Sequence, residues 1–128
     1  MTQQSPTWAP PAPPFALVVD GVPVARAWRT GTRSDRRTGL LGTDGLVAAD
    51  GRAGALLIDR CSSVHTIGMR YGLDVAFLTA AGRVLATVTM APGRMGLPRL
   101  RARSVLEAPA GTLAGWGVRP GVGVTLAD

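Results

Sequence analysis

Glycine and proline punctuate this chain so densely that its apolar runs are all short: 17 Gly and 10 Pro fall among 128 residues. Each one frees or fixes the backbone in a way that interrupts regular structure. Short strands joined by tight turns are therefore favoured over long helices. Between the interruptions the pattern has a period of two. Val84, Ala86, Val88 and Met90 alternate with Arg83, Leu85, Thr87 and Thr89, as in a β-strand. Phe15 to Asp20, Val22 to Trp28, Ala55 to Asp59, Leu73 to Leu78, Ala102 to Ala108 and Val122 to Leu126 read as further strands. Asp20-Gly21 predicts a hairpin turn, with Pro23 close to a sheet edge. Ala80-Ala81-Gly82 and Pro120-Gly121 predict two more turns.

Two segments break the strand pattern. Thr30 to Leu41 crowds Arg33, Arg36 and Arg37 behind Thr32 or Ser34, either able to cap a helix start, and closes on Leu40 and Leu41. It predicts a short amphipathic helix whose arginines form either an anion site or a solvated face. Gly111 to Trp116 predicts a second short helix, stopped by Gly117. Met1 to Pro14 is rich in proline and without periodicity, a disordered or polyproline-like tail. Residues 15–128 then form a single domain. The expected fold class is α+β: mostly β-strands in a compact barrel-like or curved mixed sheet, with two short helices. The chain is 46% apolar but only 5% aromatic, so Val, Leu, Ala and Ile supply most of the core.

Every one of the 14 basic residues is arginine, and the formal charge is +6. Such a surface steers acidic partners. The chain nonetheless lacks aromatic platforms for single strands, helix-turn-helix signals and zinc-finger spacing, which disfavours nucleic acid. One cysteine permits no internal disulfide. The N-terminus has no basic region followed by an apolar run, and no segment approaches the roughly 20 apolar residues of a membrane helix. A soluble, cytoplasmic protein with no membrane span is the expectation.

Chemically capable side chains gather in Cys61 to Leu78, which holds the only cysteine, histidine and tyrosine of the chain and the Arg70–Asp74 pair. Gly68 and Gly72 flank Met69-Arg70-Tyr71, predicting a hairpin between strands near Ser63 to Ile67 and Leu73 to Leu78. A loop centred on Arg70 sets Thr66 opposite Asp74; a one-residue slip sets His65 there instead. The candidate catalytic residues are His65, Asp74 and Cys61, with His65 as acid–base group oriented by Asp74, or Cys61 as nucleophile. Extended backbone would hold Cys61 and His65 about 13 Å apart. That is too far to share a metal, so neither a metal nor another cofactor is expected. Against all of these stands a structural role: a histidine with one hydrogen bond, a cysteine packed as a small hydrophobe, an aspartate accepting loop N–H groups. A Gly-rich phosphate loop and a nucleophile elbow are both missing.

CSSVHTIGMRYGLDVAFL, the Gly-Arg-Val step after it and SVLEAPAG before a short helix resemble the DUF192 family, also called UPF0127. RSDRRTGLLG resembles that family's Arg-rich helix, and the resemblance spans Val24 to Leu126. It implies a compact single domain of strands with short helices, and no established activity. The recurrent residues fall on Arg37, Gly39, Leu40, His65, Thr66, Met69, Asp74, Leu106, Glu107 and Gly111. Gly72, Thr79 and Val122 depart from the family pattern. The leading reading is a module that binds a small ligand or protein partner around Arg37, His65, Thr66, Met69, Arg70 and Asp74. The alternatives are a small hydrolase or lyase using His65 and Asp74 on an anionic substrate, and a binder of nucleic acid or another acidic surface through the Arg26–Arg37 and Arg94–Arg103 clusters.

Overall fold

The computed structural model describes residues 15–29, 54–62, 64–67, 69, 71–96 and 98–128. The Pro-rich tail, the Thr30 to Leu41 helix with Arg37, and Arg70 lie outside the described residues. Strands β1 (Phe15–Val19), β2 (Val22–Arg29), β3 (Ala55–Asp59), β4 (Leu73–Leu78), β5 (Val84–Met90), β6 (Ser104–Pro109) and β7 (Val124–Ala127) form one sheet. Helix α1 (Thr112–Gly115) joins β6 to β7. The strand order is β5-β4-β6-β3-β2-β1-β7. β2 and β3 are parallel and the other neighbours antiparallel, so the sheet is mixed. Arg83 and Gly123 pair as an isolated bridge between the two edge strands, so the sheet curls into a half-barrel whose ends meet at one point.

Turn chemistry explains the hairpins. Asp20 and Gly21 both have positive φ (47° and 84°) and link β1 to β2 with a two-residue loop, the primed geometry that suits strand twist. Asp20 also accepts a hydrogen bond from Gly123 N at 2.8 Å. Val24 is the extra residue of a bulge: Leu17 pairs with Ala25, but Val18 pairs with Pro23. The bulge lets Val24 and Ala25, neighbours in sequence, both pack against the same core. Pro23 falls where β2 has β1 on one side and has not yet met β3 on the other, as the missing donor requires.

Two cores result. The concave one draws on all seven strands, with Leu17, Ala27, Leu57, Leu78, Val84, Leu106 and Val124 among its members, and α1 adds Leu113. The convex one lies over β3, β4 and β6 and holds Leu56, Ile58, Leu73, Val75, Phe77 and Val105, closed by Val64 and Ala102 from loops. β4 is buried at all six positions, as its nearly continuous apolar run requires when both faces are covered. Burying a side chain the size of Phe77 contributes about 2–3 kcal/mol.

α1 has only four residues, too few for a helix to persist alone. Its C-terminus carries a Schellman closure. Gly117 (φ 78°) donates to Ala114 O, and Val118 N to Leu113 O. Val118 and Leu113 then pack together in the concave core. Among the described residues α1 is the one helix, and it is neither long nor apolar enough to cross a membrane.

Candidate functional site

The predicted hairpin between Ser63 to Ile67 and β4 does not form in either register. β4 spends both edges on β5 and β6, so no ladder position is left for it. The residues before Gly68 turn instead to the loop after β5, where His65 pairs with Met95 as an isolated bridge. Thr66 N donates to Arg94 O at 2.7 Å, and Gly96 N to Val64 O at 2.8 Å. A Cβ on Gly96 would lie 2.9 Å from Val64 O, so the two loops approach this closely only with glycine there.

This pairing separates the residues proposed to act together. His65 is exposed on the loop pair. Asp74 is buried and fully engaged. Its Oδ1 accepts from Thr89 Oγ1 at 2.6 Å, while Oδ2 accepts from Gly111 N at 2.9 Å and Leu113 N at 3.1 Å. The carboxylate thus anchors the start of α1, whose first N–H groups have no partner within the helix. Thr66 is completely buried. Its hydroxyl donates to Ala91 O at 2.5 Å and accepts from Arg94 N at 2.8 Å, and its carbonyl accepts from Met69 N and Gly93 N. Asp74 and Thr66 therefore build the fold. Met69 packs, partly buried, on the convex core.

Cys61 has a different setting. It is partly exposed, and its N–H donates to Arg103 O at 3.2 Å. It lines a cleft of about 670 Å³ with Asp59, Arg60, Ser62, Thr79, Ala80, Ala102, Arg103 and Ser104. Antiparallel order makes this possible. The C-terminal ends of β3 and β4 flank the N-terminal end of β6 in between, with Asp59 and Leu78 both opposite Ser104. Arg103 is held by its backbone on two sides, because its N–H also donates to Leu78 O at 2.8 Å. Arg60 turns the chain out of β3 with φ 55°, in the left-handed region that costs a side-chain-bearing residue about 1 kcal/mol or more. Asp59 pairs with Arg29, Nε to Oδ2, at 3.2 Å. Sequence reasoning passed over Arg60, Ser62, Thr79 and Ser104 because they flank three strand ends and meet only through the sheet order.

Glu107 is the other group that sequence pattern alone did not explain. Register places it in a row across five strands, Val88–Val75–Glu107–Leu56–Trp28. Glu107 is 5% exposed, and its carboxyl has no hydrogen bond or ion pair among the described residues. Loss of hydration in this apolar row pushes its pKa up from 4.5 to about 7. Among the described residues no three His, Cys, Asp or Glu side chains gather as metal ligands.

A family model for DUF192, an uncharacterized ACR, matches residues 19–126 of this chain. The chain belongs to the DUF192 family. The sequence resemblance is thereby established over the whole span on which it was drawn, Val24 to Leu126. The UPF0127 protein PH1112 of Pyrococcus horikoshii is a distant relative, 38% identical over 50 residues. That match covers 39% of this chain and 44% of the relative, so the chain spans less than half of that protein's length. Two solved structures share the fold seen here. One is a protein of unknown function from Novosphingobium aromaticivorans (TM-score 0.72, 22% identity, 86% of this chain and 83% of that one). The other, from Sinorhizobium meliloti, is provisionally described as a transcription regulator (TM-score 0.67, 17% identity, 88% and 95%).

Proposed function

We propose that this DUF192 chain is a binding module for a small molecule, and that its site is the cleft at the ends of β3, β6 and β4. One observation carries the reading. The cleft, at about 670 Å³, falls within the roughly 300–1,000 Å³ of small-molecule sites. Its polar side chains converge from three rigid strand ends, where loops commonly carry function. The hydrolase or lyase reading loses its support, since the Asp74 carboxylate is committed to α1 and Thr89. His65 lies outside the cleft lining, and Asp59 is engaged by Arg29, so among the described residues the lining offers no carboxylate or imidazole free to act as a general base.

A fragment screen by amide NMR on the full chain tests this, with the alkylation rate of Cys61 by neutral iodoacetamide as a second readout. Binders should move the amides of Cys61, Thr79, Arg103 and Ser104 and slow the alkylation. Binders that leave those amides unmoved and shift the His65–Met95 loop pair instead would overturn the assignment.

A further inference from the structure

We infer that the ligand of this cleft is a small phosphate monoester, held through its dianionic head. The inference rests on the cleft being the binding site and names what it takes. Three side chains in the lining carry charge: Asp59, Arg60 and Arg103. Asp59 is offset by Arg29 at 3.2 Å. Arg60 and Arg103 are exposed and make no ion pair among the described residues. Two residues of the lining, Arg60 and Arg103, therefore carry guanidinium groups with no counter-charge among the described residues, each with a planar fork of N–H donors that matches phosphate oxygens.

Hydroxyls complete the donor set. Thr79 Oγ1 accepts from Arg83 N at 3.1 Å, which leaves its own O–H proton to donate outward. The Ser62 and Ser104 hydroxyls have no hydrogen bond among the described residues, and both line the cleft. Two positive charges with three hydroxyls suit a doubly charged group with three terminal oxygens better than a carboxylate, which has one charge and two oxygens. The volume also exceeds what a bare phosphate fills. The uncharged body of an ester is accommodated beside Ala80 and Ala102, the apolar part of the wall.

The backbone that carries Arg103 and Ser104 does not depend on the ligand. Arg103 is fixed by backbone bonds to Leu78 and Cys61, and Ser104 by its pairing with Asp59 and Leu78. A backbone held in this way leaves only the side chains to be ordered on binding.

The test titrates the full chain with glycerol 3-phosphate, and in separate arms with inorganic phosphate, glycerol and an oligothymidylate. Amide shifts and Cys61 alkylation are the readouts. Glycerol 3-phosphate should shift Cys61, Arg103 and Ser104 saturably and protect the thiol. It should bind more tightly than inorganic phosphate, and glycerol should do nothing. Arg60→Gln and Arg103→Gln should each weaken it by about tenfold or more, while Arg119→Gln, an exposed arginine outside the lining, should not. All three positions are exposed, and an unchanged amide spectrum away from the cleft verifies folding. Equal weakening by Arg119→Gln would mean attraction to net charge alone and overturn the inference. So would an oligothymidylate that moves the cleft amides when glycerol 3-phosphate does not. If uncharged fragments bind in the cleft and phosphates do not, the ligand class is wrong while the site stands. If nothing moves the cleft amides, both fail.

Discussion

At the scale of single residues, the two buried carboxylates of the described chain have opposite circumstances. Asp74 has three hydrogen-bond donors and Glu107 has none among the described residues. A carboxyl with no donors, in a row of apolar side chains, is stable there only as the neutral acid. Its pKa is raised on folding, so the native state holds a proton that the unfolded chain releases between pH 4.5 and about 7. Stability from this group is full below pH 4.5 and lost as pH rises through about 7. At about 1.4 kcal/mol per pH unit, the loss across that window is about 3 kcal/mol. Glu107→Gln keeps the shape and removes the proton. We expect its urea-unfolding free energy to be nearly flat over this window where the parent declines, and the variant to be the more stable at pH 8. Parallel pH profiles for the two proteins would show that Glu107 is ionised, and compensated, in the native state.

At the scale of elements, α1 is a four-residue helix tied down by another element's side chain. Asp74→Ala leaves Gly111 N, Leu113 N and Thr89 Oγ1 without their acceptor in a partly buried site. The expected cost is about 3 kcal/mol, from unmade bonds to a charged group. Urea unfolding measures it, and the amides of Leu113 and Val118 should lose exchange protection first. A loss below about 1 kcal/mol would mean that the Schellman closure alone holds α1.

These same elements show how far the sequence was legible. Ala55–Asp59 and Leu73–Leu78 coincide with predicted strands, because alternation or an unbroken apolar run reports burial directly. Gly117 announced the end of α1, since a positive φ favours glycine. The segment before Gly68 misled for a specific reason. Its strand-like composition is real, but pairing is decided by which edges remain open, and β4 had none. The bulge at Val24 was equally silent, because an inserted residue shifts parity without any distinctive composition. The cleft was the least legible feature, because its residues come from three chain segments that only the order β3-β6-β4 brings together.

At the scale of the whole molecule, the half-barrel is closed by a few bonds where the edge strands meet. Val84 N donates to Val122 O at 2.9 Å, and Val124 N to Gly82 O at 2.8 Å. Gly82 sits at the junction with φ 86°, and a Cβ there would lie within 2.4 Å of Val124 O. Gly21, in the β1–β2 turn, has nearly the same φ of 84°, but a Cβ there would meet nothing within 4 Å. The pair separates backbone strain from closure. Gly21→Ala should cost only the left-handed conformation, about 1 kcal/mol. Gly82→Ala carries that cost and must also push β7 away from the β4–β5 turn, so we expect a loss at least about 2 kcal/mol larger, in the range of other forced rearrangements of packed structure. Hydrogen exchange locates the difference. In Gly82→Ala the amides of Val84 and Val124 should exchange far faster than in Gly21→Ala, while those of β4 and β6 stay protected. If both variants lose the same stability and keep Val124 protected, the edge-to-edge bridge adds nothing to the fold, and the sheet is held by its strand ladders alone.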